Sequence, residues 1–329
     1  MSAVFATLAK VLAAEPAVAL VTVVGARGST PREAGARMVV TAAGAISGTI
    51  GGGRLELEAV DAARALASAG RDTAILRRFA LGPALGQCCG GHVTLAIEAI
   101  TAAHRPEIEA LSAGEAAGGL VTAARFTEGQ GVRRAIVGHG PASPTARLAD
   151  DGTLHEVFGE RRRPVYLFGA GHVGRAVVLA LAPLPFRVLW VDERADMFPA
   201  AMPRTAEPVV TDRPEVVAAA MEEGAFALVM THDHGVDLAI MHAALRARRH
   251  AFLGLIGSAT KRARFESRLQ ALGLPAAEAR AFRCPIGVSG ITSKEPALIA
   301  AAVAAELLIE DEAVRARRHP GEPLIQAVP

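Results

Sequence analysis

Cysteine is scarce in this chain, and the spacing of the few cysteines excludes two familiar kinds of site. The sequence has 3 cysteines in 329 residues, and no CxxC pair, so neither a zinc ribbon nor a thioredoxin-type motif is available. The sequence has no run of about 18 apolar residues, so no membrane helix is predicted. Its N-terminus lacks the pattern of a secretory signal. The sequence therefore predicts a soluble protein of a reducing cytoplasm.

Aromatic residues are also few, and the net charge is small. The chain has a single Trp and a single Tyr, so its cores are predicted to consist of Ala, Val and Leu. The formal net charge of +2 gives no reason to expect a nucleic-acid partner. Neither a GxSxG nor a Walker A motif occurs. The length favours two domains.

The turn-forming residues divide the chain into three segments. Residues 1–100 alternate predicted helices and strands, with glycine-rich loops near 28–35 and 51–53. Residues 101–163 are looser in composition and predict a small meander that connects the two halves. Residues 164–329 return to regular strand–helix alternation. The predicted fold class is α/β, with an N-terminal α/β domain followed by a Rossmann-like, doubly wound parallel sheet.

The most unusual feature is the pair Cys88–Cys89, which is followed by Gly90 and Gly91. Neighbouring Cα atoms lie about 3.8 Å apart, whereas disulfides prefer roughly 5.5–6 Å, so the pair cannot form a relaxed disulfide. The glycines permit close approach of a ligand, and thiols suit a soft metal centre. The alternative is that the thiols are small buried apolar groups.

A GxGxxG motif opens the second half. Residues 169–174 lie between a predicted strand and a predicted helix, and Asp192 ends the next strand. Glycines allow a tight turn, and the helix N-terminus attracts phosphate. The parallel strands are expected to end near four residues at one edge of the sheet, namely Phe168, Val191, Thr231 and Ile256. The predicted binding residues here are Gly169, Gly171, His172, Gly174 and Asp192.

Two further regions resemble anion sites. After a later strand, Gly257 and Ser258 precede a helix that begins with cations, including Lys261; the alternative is a capped surface helix with solvated charges. In the N-terminal half the glycine loops are flanked by four arginines, namely Arg27, Arg32, Arg37 and Arg54. Residues 231–234 contain His-Asp-His, which could bind metal only with further ligands, so a hydrogen-bonding role is favoured.

Taken together, these motifs resemble the XdhC/CoxI family. The matching pieces are residues 28–32 with Gly35, 47–56, 88–91, 169–174, 254–258, 261–265, 284–287 and 294–296. They occur in family order over most of the chain, and only residues 101–163 are weakly covered. One departure is Arg54, because CoxI-like members tend to carry Cys at that position.

The resemblance implies a cytoplasmic, usually dimeric accessory protein that is not an enzyme. Such a protein would hold the molybdenum cofactor (molybdopterin) while a cysteine desulfurase supplies its sulfido ligand, and would then deliver it to xanthine dehydrogenase. No nucleic acid or membrane is implied. The cofactor-binding residues would be those named in the Rossmann-like half together with Arg27, Ser29, Arg32, Gly51, Gly52, Gly53, Cys88, Cys89, Gly90, Gly91, Gly257, Ser258 and Lys261. Cys88 and Cys89 would lie beside the molybdenum.

Two other functions stay open at this point. The GxGxxG motif with Asp192 also suits an NAD(P)-dependent oxidoreductase, although no acid or base for hydride transfer is evident and a fold does not determine a function. Alternatively, Cys88 or Cys89 could itself carry sulfur as a persulfide.

Overall fold

The structure, a computed structural model, describes residues 3–81, 90–140, 145–159 and 162–318. The chain divides into two compact units, Met1–Arg161 and Arg162–Pro329. The division falls at the start of the predicted Rossmann-like half. Within the described residues, no helix combines the length and the apolar character that crossing a bilayer requires.

The first unit is built on a five-stranded antiparallel sheet. Its elements are α1 (Val4–Leu12), β1 (Ala17–Arg27), β2 (Arg37–Thr41), β3 (Ile46–Gly48), α2 (Gly53–Ser68), β4 (Thr73–Ala80), β5 (His92–Thr101), α3 (Arg105–Ala116), β6 (Leu120–Arg125), β7 (Arg134–His139), β8 (Thr145–Leu148) and β9 (Thr153–Phe158). The strand order is β3-β2-β1-β5-β4. Helix α2 packs on one face, while α1 and α3 pack on the other. Strand β1 is therefore a nearly continuous apolar run.

A second, four-stranded sheet, β7-β6-β9-β8, comes from the segment that was expected to be a separate connector. The structure groups this segment with the first unit and adds α3 and β8 to the predicted strands. Both were missed because their apolar signal is weak: the only apolar side chains that α3 buries are Ile108 and Leu111, and β8 has four residues.

Buried charges join the two sheets of the first unit. Arg134 donates to Glu98 at 2.5 and 3.0 Å and to Glu156 at 2.7 Å, and Arg37 donates to Glu156 at 3.4 Å. All four side chains are almost completely buried. Arg37 was predicted to help bind an anion at the glycine loops; this was wrong, because its guanidinium is enclosed and paired within the unit.

The second unit has the predicted doubly wound architecture. Its elements are β10 (Arg163–Phe168), α4 (His172–Leu181), β11 (Phe186–Asp192), β12 (Ala206–Val210), α5 (Pro214–Ala219), β13 (Ala225–Val229), α6 (His234–Ala247), β14 (His250–Leu255), α7 (Ala259–Ala271), α8 (Ala276–Ala279) and α9 (Pro296–Arg318). The five strands are parallel in the order β12-β11-β10-β13-β14. Helices α5 to α8 cover one face, and α4 and α9 cover the other. The predicted α/β class and Rossmann-like half are thus confirmed.

Three elements of this unit differ from the prediction. Strand β12 and helix α5 were not predicted, because β12 is a partly exposed edge strand that contains Pro208 and α5 has six residues. The Ala-rich pattern of the sequence predicts a last helix over Lys294–Ile309, whereas helix α9 extends to Arg318, so the basic run at 315–318 is helical. Arg315 pairs with Asp311 one turn earlier at 2.8 Å, which favours continuation of the helix.

Candidate functional site

The carboxyl ends of the parallel strands in the second unit share one edge. The chain just beyond each strand continues the pairing: Gly169 N donates to Val191 O, Met230 N to Phe168 O, and Ile256 N to Val229 O. The strand order reverses on either side of β10. In sheets of this kind, ligands bind where the order reverses, outside the carboxyl ends of the strands.

The glycines of residues 169–174 serve different purposes. A Cβ on Gly169 would lie 2.3 Å from Met230 O, and one on Gly174 would lie 2.2 Å from Gly169 O. Trp190 Nε1 also donates to Gly169 O at 3.0 Å. The fold therefore requires the first and third glycines. A Cβ on Gly171 would meet no atom within 4 Å. No contact within the described chain therefore requires glycine at this position.

Helix α4 begins without a capping side chain. Gly171 is its N-cap, and its first turn has no acidic residue. In the part of the chain that the structure describes, the backbone N–H groups of His172, Val173 and Gly174 have no acceptor. The positive end of the helix dipole is thus open to an anion. The His172 side chain is exposed.

Asp192 is engaged by the protein itself. Its Oδ2 accepts from Ala170 N at 2.7 Å and from Arg194 Nη2 at 3.0 Å; its Oδ1 accepts from Arg194 N at 3.1 Å and Nε at 2.9 Å. Burial alone would raise the pKa of Asp192, but the hydrogen bonds from Arg194 and Ala170 outweigh it and hold the pKa below its usual value. Arg194 was missed by the sequence reasoning.

The start of α7 is partly filled by the protein's own groups. Ser258 Oγ accepts from Lys261 N at 3.3 Å. Lys261 Nζ donates to Asp237 Oδ2 at 2.7 Å, and the Asp237 side chain is fully buried. Thr231 donates to the other Asp237 oxygen through N at 3.0 Å and Oγ1 at 2.7 Å. The Lys261 side chain is therefore directed towards the buried Asp237. The sequence did not predict a role for Asp237, because a single acidic residue in a helix belongs to no recognisable motif.

Residues 231–234 cap a helix. Asp233 is the N-cap of α6 and accepts from Gly235 N at 2.6 Å and Val236 N at 2.9 Å. His232 Nε2 lies 3.7 Å from Glu193 Oε1. Among the described residues no group of three or more His, Cys, Asp or Glu side chains could hold a metal ion. Asp233 therefore forms its hydrogen bonds within the protein, as the cap of α6.

Cys284 lies beside the α7 start. Its thiol donates to Ser258 O at 3.7 Å, and a Cβ on Gly257 would approach Cys284 Sγ to 3.2 Å and Lys261 Cδ to 2.7 Å. Burial raises the pKa of the Cys284 thiol, and the nearby Lys261 and Arg262 offset this only in part. The thiol is thus protonated and packed at neutral pH.

In the first unit, three predicted glycine loops meet. A Cβ on Gly91 would lie 2.3 Å from Ser29 O and 2.6 Å from Arg27 O, and one on Gly51 would lie 2.6 Å from Pro31. The Arg27, Ser29, Arg32, Gly53 and Gly90 positions are exposed, whereas Gly91 is buried. Cys88 and Cys89 lie outside the described residues. The loop that begins at Arg27 therefore contacts both Gly91 and Gly51.

The start of α2 differs from that of α4, because it carries a carboxylate. Gly52 is the N-cap, and Glu56 Oε2 accepts from Gly52 N at 3.1 Å, Ile50 N at 3.0 Å and Thr49 Oγ1 at 2.5 Å. Burial would raise the pKa of Glu56, but these hydrogen bonds outweigh it and lower the pKa. Glu56 holds the loop of Gly51 and Gly52 in shape, a role that the sequence reasoning missed.

Comparisons with known proteins agree with this architecture. A family model described as the XdhC Rossmann domain matches residues 165–307, and one described as the XdhC and CoxI family matches residues 11–80. A solved structure from Bacillus halodurans, described as a xanthine dehydrogenase, has 20% identity and a TM-score of 0.75 over 97% of this chain and 98% of that one. This likeness shows the fold.

A second solved structure, a Rossmann-fold NAD(P)-binding family protein from Shigella flexneri, has 16% identity over 50% of this chain and 98% of that one, with a TM-score of 0.30. Its likeness is too weak to carry an argument. A search of curated proteins gives no match. The two family models match both units, one in each, and the chain belongs to the XdhC and CoxI family.

Proposed function

We propose that this protein is an accessory factor of xanthine dehydrogenase that binds the molybdenum cofactor. On this proposal, the cofactor stays on the protein while a cysteine desulfurase supplies its terminal sulfido ligand, and is then delivered to the dehydrogenase. The chain would act as a homodimeric carrier in the cytoplasm and would have no reaction of its own. Membership of the XdhC and CoxI family supports the accessory role.

The observation that carries the proposal is the open start of α4. Its backbone N–H groups have no acceptor in the described chain, its first turn has no acid, and Gly171 leaves free space where any other residue would place a side chain. Molybdopterin carries a phosphate, and such a group suits donors of this kind because helix N-termini favour anions. The phosphate end of the cofactor is therefore assigned to this loop.

The thiols of the first unit are a further part of the proposal, on the chemistry of the residues around them. Molybdenum in this cofactor suits sulfur and oxygen neighbours, and Cys88 and Cys89 directly precede the Gly90–Gly91 loop. That loop contacts the backbone of Arg27 and Ser29, whose exposed positions suit the polar pterin. A carrier must also release its cargo, so exposed groups fit the role better than a closed cage would.

The test is to purify the full chain from a host that makes the cofactor, and to measure molybdenum and pterin per protein. The decisive variant is Gly171→Asp, which places a carboxylate at the α4 N-cap. Asp is a favourable N-cap residue, so the helix should be at least as stable as in the parent protein. Its charge should repel phosphate and lower cofactor retention at least about tenfold.

Gly171→Ser is the matched control, because it caps the helix without adding charge, and it should retain far more cofactor than Gly171→Asp. Equal molybdenum in the parent protein and Gly171→Asp would contradict the assignment of the phosphate. Absence of molybdenum and pterin from the parent protein, together with turnover of NAD(H), would support the oxidoreductase alternative instead.

The cysteines need a separate measurement. Cys88→Ala and Cys89→Ala should lower molybdenum retention while leaving the unfolding midpoint of the protein close to the parent value. Mass spectrometry after incubation with a desulfurase and cysteine distinguishes the persulfide alternative, which predicts the added mass of one sulfur atom on a cysteine. If both variants retain molybdenum normally and still activate the dehydrogenase, the thiols have no part in holding the cofactor.

A further inference from the structure

Two side chains of the second unit meet across the end of strand β10. Glu193 follows β11 directly, and His232 lies three residues beyond β13; these two strands flank β10 in the sheet. Neighbouring strands lie about 4.8 Å apart, so β11 and β13 are separated by about 10 Å. His232 Nε2 nevertheless lies 3.7 Å from Glu193 Oε1. This contact, the Glu193–His232 bridge, therefore crosses the end of β10.

The chain that lies between the two ends of the bridge leads directly into α4. On one side Gly169 N donates to Val191 O. On the other side a Cβ on Gly169 would lie 3.2 Å from Thr231 N. Two residues later Gly171 is the N-cap of α4. The bridge therefore lies beside the start of α4, at the place where the order of the strands reverses.

The backbone on both sides of the bridge is held by the protein. The amide that follows Glu193, Arg194 N, donates to Asp192 Oδ1 at 3.1 Å. The amide that precedes His232, Thr231 N, donates to the buried Asp237 at 3.0 Å. The two side chains of the bridge, in contrast, are about half exposed. The parts that can move are thus two side chains on fixed supports.

Electrostatics determines when the bridge is favourable. A protonated imidazole attracts the carboxylate, whereas an anion at the start of α4 would attract the imidazole and repel the carboxylate. Each side chain also has a second charge of opposite sign within range, namely Arg194 for Glu193 and Asp233 for His232. An anion therefore interacts differently with the closed and the parted bridge, which is the condition for a ligand to shift such an equilibrium.

We propose that Glu193 and His232 form a gate across the end of β10, which is closed in the free protein and opens when an anion binds at the start of α4. This inference rests on the proposed function, because it takes the phosphate of the ligand to lie there. Parting the bridge lowers the affinity for the anion, and closing it again favours release. A carrier that must deliver its ligand benefits from both effects.

The experiment measures the affinity of the full chain for inorganic pyrophosphate by calorimetry, at about pH 6, where an ordinary histidine ring is largely protonated. Glu193→Gln should bind at least about threefold more tightly than the parent protein, because no bridge has to be parted. Glu193→Asp keeps the charge but is one methylene shorter, so it should also bind more tightly. Glu222→Gln is the matched control: it removes the same charge from an exposed pair with Arg187, near the other end of β11, and should bind as the parent does.

A double-mutant cycle separates the bridge from the charge of Glu193 alone. His232→Gln removes the other half of the bridge, and in that background Glu193→Gln should change the affinity less than about twofold. An equal effect of Glu193→Gln in both backgrounds would overturn the inference, because the carboxylate would then act only through its charge. The inference also fails if neither Glu193 variant binds more tightly than the parent, or if none of the proteins binds pyrophosphate.

These outcomes separate the inference from the proposed function. A parent protein that contains no molybdenum or pterin, but shows the coupling between Glu193 and His232 with pyrophosphate, would remove the proposed function alone. A parent protein that contains both, but shows no such coupling, would remove this inference alone.

Discussion

Two helices of this protein start after glycine loops, yet their starts differ in charge. Helix α2 carries Glu56 in its first turn, and that carboxylate accepts from Gly52, Ile50 and Thr49. Helix α4 has no acid in its first turn and no capping side chain at Gly171. Glycine-rich loops alone therefore do not identify an anion site; what matters is whether the protein supplies its own carboxylate.

The other polar groups of the two units show the same contrast between donors that the protein satisfies itself and donors that it leaves unused. In the first unit, Arg37, Glu98, Arg134 and Glu156 neutralise one another in the interior. In the second unit, the α4 start keeps unused backbone donors at the edge of the sheet, as far as the structure describes the chain. We interpret the first arrangement as structural and the second as ligand-binding, and the following variants test that interpretation.

The largest expected effect comes from breaking the buried network with Glu156→Gln. The change leaves the guanidinium groups of Arg37 and Arg134 short of one buried negative charge, which typically costs about 3–5 kcal/mol. Urea unfolding should show this loss of free energy. The control is Glu109→Gln, whose exposed pairing with Arg105 at 2.7 Å should be worth less than about 0.5 kcal/mol. A cost for Glu156→Gln as small as that of the control would mean that the network is not structural.

The next test separates the glycines of the second unit. Gly174→Ala should destabilise the unit by about 2–3 kcal/mol, because its Cβ would overlap Gly169 O at 2.2 Å. Gly171→Ala should change the free energy of unfolding by less than about 1 kcal/mol, because the space is empty and the backbone φ of −73° suits alanine. Thermal unfolding measures both. If Gly171→Ala is as costly as Gly174→Ala, the loop needs that glycine for its own folding.

Glu56→Gln makes the start of α2 resemble that of α4. We expect a loss of about 1–2 kcal/mol at neutral pH, because a charged acceptor of several hydrogen bonds becomes neutral. The pKa of Glu56 is lowered in the folded state. The contribution of Glu56 to the free energy of unfolding is therefore complete above the unfolded pKa of about 4.3, and it is lost as the pH falls through the lower folded pKa. Unfolding measured between neutral and strongly acidic pH should show this loss in the parent protein and not in the variant. Parallel curves for the two proteins would refute the role of Glu56.

The smallest effects concern the other capped helices of the second unit. Asp233→Ala removes two short hydrogen bonds at the start of α6, of 2.6 and 2.9 Å, and should lower the free energy of unfolding more than Ser258→Ala does. Ser258→Ala removes one bond of 3.3 Å at the start of α7 and should cost about 0.5 kcal/mol. Denaturant midpoints rank the two variants. The reverse order would show that bond length does not predict the strength of these caps.

The regular parts of both units could be predicted from sequence because their signals are local. Strand β1 is a nearly continuous apolar run, and GxGxxG between a strand and a helix defines the start of α4. Helix α3 and strand β12 could not be predicted, because their apolar residues are few and their stability depends on neighbours distant in sequence. Asp237 and Arg194 were missed for a similar reason: an ion pair such as Asp237–Lys261 depends on packing, which no local pattern records.

The arginines around the first glycine loops show that proximity in sequence can also predict a binding role that the structure contradicts. Arg37 follows the loop in sequence as an anion-binding residue could, but β2 directs it into the interior. There it pairs with Glu156, and its Cζ lies 3.9 Å from the centroid of the Phe158 ring. A residue's distance from a loop in sequence does not decide which side of a strand it faces. Arg27, two residues from Ser29 at the end of β1, is exposed instead.

Trp190 gives the glycine loop an optical reporter. It is the single tryptophan of the chain, it is buried, and its indole N–H donates to Gly169 O beside the edge-on ring of Phe198. Its fluorescence should therefore be that of an apolar environment, and a ligand that draws the loop away from β11 should shift the emission to longer wavelength. Occupancy of the α4 start can thus be followed in the unmodified protein, without a label and in real time.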